Sequence, residues 1–257
     1  MNHCRFSRVS DSARRSRFLL PAICIAPLFA GCGGGEAGGE VKLAEARRYD
    51  LDASMAESGS IRVPGSSELN YASFRSGQTG TGRGESRRVG AAGAVCLAEC
   101  EPDGSGWGEF QIGYSFDNKT NRALDATVKL RLKVSEANEI KRDAPNAAED
   151  STTAKTTLRF FIKDTVGREL KSGNILNSSL ALGPKSSGKE QELVFDARFE
   201  PERGYYLIVT GRAEVSSEEG KAVAASVEVT DMALDIAWKP ASPEASAAKP
   251  AAGAVEP

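Results

Sequence analysis

Between residues 107 and 238 the apolar side chains recur at every second position, a pattern that leaves few folds open. Phe110, Ile112, Tyr114 and Phe116 make one such run. Leu124, Ala126, Val128, Leu130, Leu132 and Val134 make the longest, with Lys129, Arg131 and Lys133 between them. A helix would scatter these residues around its circumference, whereas a strand places them on one face. One apolar and one polar face reads as an antiparallel sheet with a wet side. Asp117-Asn118-Lys119-Thr120-Asn121 turns the chain between the two runs, and a polar loop is expected over 135–154. Leu158, Phe160 and Ile162 resume the pattern before a turn at 164–167, and Leu193, Phe195, Ala197 and Phe199 give another strand. Residues 205–209 are apolar on both faces and suit a central strand. Val223, Ala225, Val227 and Val229 are odd-numbered, but Met232, Leu234, Ile236 and Trp238 are even, so a bulge is predicted near Thr230-Asp231. The expected fold is all-β, an antiparallel two-sheet sandwich over 107–238.

One segment carries an architectural resemblance. Glu200-Pro201-Glu202-Arg203-Gly204-Tyr205-Tyr206-Leu207 resembles the loop entering a late strand of immunoglobulin-like bacterial domains. The resemblance implies that a tyrosine closes that corner and that the sandwich is immunoglobulin-like.

The flanks read differently. Residues 41–106 are sparse in large apolar side chains and are broken by Gly77-Gln78-Thr79-Gly80-Thr81-Gly82-Arg83-Gly84, so a loop-rich extension with a few short strands is expected there. From Lys239 to Pro257 proline, alanine, serine and glutamate dominate, which reads as a disordered tail.

At the other end Arg5, Arg8, Arg14, Arg15 and Arg17 precede an apolar run over 18–30. Cations stay on the cytoplasmic side while the apolar stretch enters the bilayer. The run is shorter than the roughly 20 residues of a spanning helix, and Pro21 and Pro27 interrupt it, so it reads as a cleaved leader. Phe29-Ala30-Gly31-Cys32 resembles the lipobox of bacterial lipoproteins. That resemblance implies cleavage after residue 31, a diacylglycerol and an acylated amino terminus on Cys32, and a membrane partner reached through this lipid. Gly33 after the cysteine, where that family's inner-membrane members carry aspartate, implies export to the outer membrane, facing the periplasm or the surface. Residues 32–40, with their glycines, would form a flexible tether.

Without the five arginines and one aspartate of the leader, the chain keeps 28 basic and 34 acidic residues, a formal charge of −6. No basic stripe is present, and nucleic acid is an unsuitable partner on both charge and compartment. The sole histidine, His3, lies in the leader. Ser-His-Asp and Cys-His catalysis are thereby excluded, and zinc or copper would lack imidazole and thiolate ligands, so no cofactor is expected. Carboxylate-pair chemistry, Ser-Lys chemistry, calcium binding or no chemistry remain.

Cys4 and Cys24 leave with the leader, which leaves Cys96 and Cys100 as the expected disulfide of an oxidising compartment. Four steps along a strand would hold their α-carbons about 13 Å apart, so this pairing requires a turn over 95–101.

Several motifs have plain alternatives. Gly77 and Gly82 have phosphate-loop spacing, but Arg83-Gly84 stands where Lys-Ser/Thr is needed. Ser186-Ser187-Gly188-Lys189 matches the Ser-x-x-Lys of penicillin-recognising enzymes but sits in a turn-forming run. Asp117, Asn118, Asn121 and Asp125 offer oxygens to calcium without the glycine bend and terminal glutamate of a calcium loop. Glu99, Glu101, Asp103 and Glu109 are spaced as a glycosidase pair might be, and as acidic loops commonly are. Trp107 and Trp238 are the candidate binding aromatics, with core packing as the alternative.

Three functions follow as expectations: a non-catalytic envelope lipoprotein whose sandwich binds an envelope protein or glycan, a carboxylate-dependent hydrolase of envelope polysaccharide, and a structural or assembly subunit of a secretion or surface system.

Overall fold

Strand alternation governs the whole computed structural model, which describes residues 48–51, 58–142, 152–179, 186–217 and 222–242. The leader, Cys32, the tether and residues 243–257 of the tail lie outside the described residues. Sheet A contains β1 (Tyr49–Leu51), β3 (Tyr71–Gly80), β6 (Gly104–Asn118), β8 (Thr152–Asp164), β9 (Glu169–Ser179) and β11 (Arg203–Ser217). Sheet B contains β2 (Gly59–Val63), β4 (Arg83–Val89), β5 (Gly93–Cys100), β7 (Leu124–Arg142), β10 (Ser186–Phe199) and β12 (Ala222–Pro240). Sheet A runs β1-β6-β11-β8-β9, with β3 on the same side of β6 as a second partner. Sheet B runs β10-β7-β12-β5-β4, with β2 also on β12. The pairings are antiparallel, except that β1 runs parallel to the end of β6, Tyr49 beside Phe116.

The inner faces are those the periodicity marked. Phe110, Ile112, Tyr114 and Phe116 are at most 1% exposed, and the six inward residues of the longest run, on β7, are at most 5% exposed. Phe116, Phe199 and Tyr205 gather with ring centroids 4.7–5.8 Å apart. Burying such side chains contributes roughly 1.5–3 kcal/mol each. Tyr114 Oη donates to the Met232 carbonyl at 2.9 Å and so ties the two sheets through the core. The corner tyrosine is Tyr205, whose Oη accepts the Glu200 N–H at 2.6 Å. The phase change is a bulge, since Val229 pairs with Val134 and Asp231 with Lys133, which leaves Thr230 over. Val229 and Met232 are both fully buried as a result.

Other expectations are corrected. The expected start of the sandwich, residue 107, falls inside β6, because β1 to β5 pair into both sheets. Gly77 to Gly84 form the facing ends of β3 and β4 around a tight turn, with Gly82 N–H donating to the Thr79 carbonyl at 2.9 Å. The reason is contact between backbones. A β-carbon on Gly82, Gly84, Gly106 or Gly108 would fall onto a main-chain carbonyl oxygen of the facing strand, β6 for the first two and β4 for the others. Here the sheets touch backbone to backbone, which only glycine permits.

Cys96 and Cys100 are both buried and free, on one face of the continuous strand β5. With no turn over 95–101 the expected disulfide does not form. Burial pushes the Cys96 thiol up to about 12 and raises that of Cys100 as well. The loop expected over 135–154 is narrower, because β7 continues to Arg142 and β8 begins at Thr152. Ser186 to Lys189 belong to β10, with a register irregularity, and not to a turn. The tail begins later than Lys239, since β12 reaches Pro240.

The turn from β8 to β9 is closed by Asp164, 2% exposed, whose Oδ1 accepts the Val166 and Arg168 N–H groups at 3.2 and 2.7 Å. Arg168 and Arg203 approach its Oδ2 at 3.2 and 3.3 Å. Desolvation raises this carboxyl's pKa, but the two N–H donors and the guanidinium groups outweigh it and hold the group below its ordinary value. A depressed folded-state pKa stabilises the fold above the unfolded value and ceases to do so as pH falls through the folded one. Urea midpoints of wild type and Asp164→Asn should therefore differ at pH 7 and converge near pH 3. A gap that stays constant with pH would contradict the ion-pair account.

Candidate functional site

The outward positions of the two sheets differ in chemistry. On sheet B they alternate in sign and pair: Lys129 with Glu192 at 2.8 Å, and Arg131 and Arg62 with Asp235 at 3.0 and 2.9 Å. Shallow open depressions lie among these groups, one beside Asp125, Asp196, Arg198 and Lys239 and another beside Lys133, Glu190 and Asp231.

Sheet A presents aromatic rings instead. Register sets its outer face in levels two residues apart, about 7 Å along the strands. Tyr71 and Phe161 share a level with Gly113 and Ile208 between them. The next level holds Ser73, Gln111, Thr210 and Arg159, and the one after it Arg75, Glu109, Arg212 and Thr157. Trp107 follows, between Gly77 and Glu214. Tyr206 lies one level beyond Tyr71 on the other side, with ring centroids 5.7 Å apart across Gly113. Tyr71 Oη donates to Gln111 Oε1 at 3.1 Å.

Three rings of this face, Tyr206, Trp107 and Phe161, have a cation beside them. The Arg48 guanidinium is 4.9 Å from the Tyr206 centroid and also ion-pairs with Asp117 at 2.7 Å. Arg212 lies 4.7 Å from the Trp107 ring and reaches Glu214 at 2.9 Å and Glu109 at 3.4 Å. Arg159 and Lys163 flank Phe161 at 4.9 and 4.8 Å. Such contacts are worth roughly 0.5–1 kcal/mol at exposed sites and hold the rings in place.

The structure separates the two tryptophans. Trp107 is half-buried on the outer face of sheet A, its ring leaning over Gly77. Trp238 is 8% exposed, belongs to the core and rests against Gly59 of sheet B, so it is no part of a binding surface. Its parity with Met232, Leu234 and Ile236 is the reason. Tyr71, Tyr206 and Phe161 escaped sequence reading, though Phe161 and Tyr206 carry a signal: each is an aromatic at the outward parity of a strand whose other positions point inward.

The remaining candidates disperse. Glu99 is outward on sheet B, Glu101 and Asp103 lie in the turn from β5 to β6, and Glu109 is outward on sheet A. Asn118 is fully buried and its amide is spent on the backbone. Among the described residues no three of His, Cys, Asp and Glu are grouped to hold a metal ion.

No protein-family model and no curated protein matches the chain. Solved structures that it resembles include one described as carbohydrate-binding modules of the β-sandwich superfamily, at 10% identity and a TM-score of 0.22, covering 62% of this chain and 55% of that one. The xylan-binding domain of Paenibacillus barcinonensis Xyn10C aligns at 10% identity and TM-score 0.17, over 71% of this chain and 95% of that domain. The enzymatically active domain of bacteriophage CBA120 tailspike protein 4 gives 11% and 0.25, over 70% of this chain and 19% of that one. The aligned part is thus about half of the first of these chains and a fifth of the last.

Proposed function

We propose that the chain is a non-catalytic binding module of the bacterial envelope, lipid-anchored through Cys32, that holds a glycan on the outer face of sheet A. The observation that carries this reading is the row of ring-bearing side chains across an open sheet, Trp107 at one end and Tyr71, Tyr206 and Phe161 at the other, with hydroxyl, amide and charged groups between. Aromatic faces stack on the apolar faces of sugar rings, and polar side chains set in between meet hydroxyls. A protein partner would favour an interface centre depleted of charge, whereas here the central levels carry Arg75, Glu109, Arg212 and Arg159. The span from Trp107 to Gly113 is about 20 Å along β6, the length of a short oligosaccharide and not of a single sugar.

The test is affinity electrophoresis of the full chain in gels containing hydroxyethylcellulose, galactomannan or polygalacturonate. At least one polymer should retard it, and Tyr206→Ala should weaken that retardation about fivefold or more. Migration unchanged in all three gels would refute glycan binding. For the anchor, Cys32→Ala should move the protein out of the membrane fraction, and a variant that stays there at the mature mass would refute lipidation.

One observation favours a second reading, that of an assembly subunit. β9 and β10, the end strands of their sheets, each have a single partner among the described residues, and an unpaired edge is a template for another strand. Chain-length oligomers in solution would support that reading over the first.

A further inference from the structure

We infer that the ligand of the sheet A face is an acidic polysaccharide whose anionic groups are held by Arg159 and Lys163, the two cations seated against the Phe161 ring. This rests on the glycan-binding reading above and names the class of glycan.

Arg159, Phe161 and Lys163 are alternate residues of β8, so all three project from one face. Both cations lie against the same ring, at 4.9 and 4.8 Å. Neither forms an ion pair with a carboxylate among the described residues. Glu169 stands opposite Lys163 in register, yet no ion pair joins the two. Several other cations of this face are neutralised by carboxylates: Arg212 by Glu109 and Glu214, Lys155 by Glu214 at 3.9 Å, and Arg48 by Asp117. Two like charges thus stand side by side against one aromatic ring, with no carboxylate paired to either among the described residues. Their mutual repulsion is relieved when an anion arrives, and their field draws one in.

The neighbours suit a sugar. Phe161 lies between Ile208 and Ser172, and Arg159 between Thr210 and Asn174, which puts hydroxyl and amide groups within one strand spacing of the ring. The strip is an open sheet face and not an enclosed cavity, a shape that serves a polymer passing over it better than a small free anion. Because phosphate or carboxylate charges repeat along an acidic polysaccharide, both cations can be engaged by one chain.

The experiment compares binding of the full chain to polygalacturonate and to the same polymer fully methyl-esterified, which keeps the sugar rings and removes the charge. Polygalacturonate should bind at least tenfold more tightly, and the preference should vanish as salt rises from about 50 to 500 mM. The double change Arg159→Ala with Lys163→Ala should cost tenfold or more on polygalacturonate and little on the ester, with only the small drop in urea midpoint that losing two exposed cation–ring contacts brings. With Lys163 intact, Arg159→Lys should keep most of the affinity that Arg159→Ala loses. Equal affinity for the two polymers would overturn the acidic assignment and leave glycan binding standing. Binding to neither would overturn the acidic assignment, and glycan binding would fall with it only if hydroxyethylcellulose and galactomannan also fail to retard the chain. Retention by phosphatidylglycerol vesicles with no binding to either polymer would assign the cations to a lipid surface and overturn the inference.

Discussion

Valine at Gly106 is expected to destabilise the fold by about 3 kcal/mol, near the upper end of what overpacking costs. Gly106 lies on β6 where β4 crosses it, and an added β-carbon would meet the Arg83 carbonyl oxygen, with the Arg83 carbonyl carbon and amide nitrogen just behind. These are main-chain atoms held by the pairing of β4 with β5, so no side-chain rotation relieves the clash. In a domain of this size the change corresponds to a fall in Tm of roughly 6–12 °C. Gly90 supplies the contrast. Its φ is +61° and nothing lies within 4 Å of an added β-carbon. Gly90→Ala should therefore cost only about 1 kcal/mol, for the left-handed backbone alone. Urea unfolding followed by tryptophan fluorescence measures both. Equal losses for the two variants would show that the seam between β4 and β6 can open to admit a side chain.

Alanine at Asn118 should cost about 4 kcal/mol, through a different mechanism. Its Nδ2 donates to the carbonyls of Arg122, Phe199 and Glu200 at 2.9–3.1 Å. Its Oδ1 accepts the Thr120 N–H at 3.0 Å and the Thr120 hydroxyl at 2.7 Å. One fully buried amide thus ties the exit of β6 to the end of β10 and to the turn that begins β7. Removing it strands several backbone groups away from water, each at about 1–3 kcal/mol before relaxation. Asn118→Asp keeps the acceptors for Thr120 and loses the donors, so comparing the two variants divides the cost. A loss below about 1 kcal/mol for the alanine variant would mean that water replaces the amide.

Much of the sandwich could be read from parity alone. Residues 110–116, 124–134 and 158–162 bury the side chains that a period of two assigns inward, and the odd-to-even shift at Thr230 marked the bulge. The departures have separate causes. Glycine usually punctuates chains, so the run from Gly77 to Gly84 reads as a loop, when it is the pair of strands that the sheets' closest approach requires. The signal was present in Gly104, Gly106 and Gly108, which continue the inward parity of Phe110 and Ile112 back along β6. The disulfide expected of Cys96 and Cys100 follows from compartment chemistry, whereas the apolar alternation of Ala94, Cys96, Ala98 and Cys100, all at most 4% exposed, marks one inward face of a strand. The candidate site was legible only at Trp107. A binding face is made of outward residues from β3, β6, β8 and β11, strands far apart in sequence, and no local pattern states which of them become neighbours.

The glycine seam also gives the sandwich a spine and a fore-edge. Along β4 and β6 the two covers are bound main chain to main chain, and the tight turn between β3 and β4 stitches one cover to the other. On the opposite side β10 meets sheet A through the stacked rings of its Phe195 and of Phe160 on β8, centroids 4.9 Å apart, and β9 and β10 each have a single sheet partner among the described residues. Amides there should exchange with solvent well before those of β6 and β11, because partial opening costs least where few buried contacts break. The molecule would then open as a book does, pages first, with the spine the last part to give.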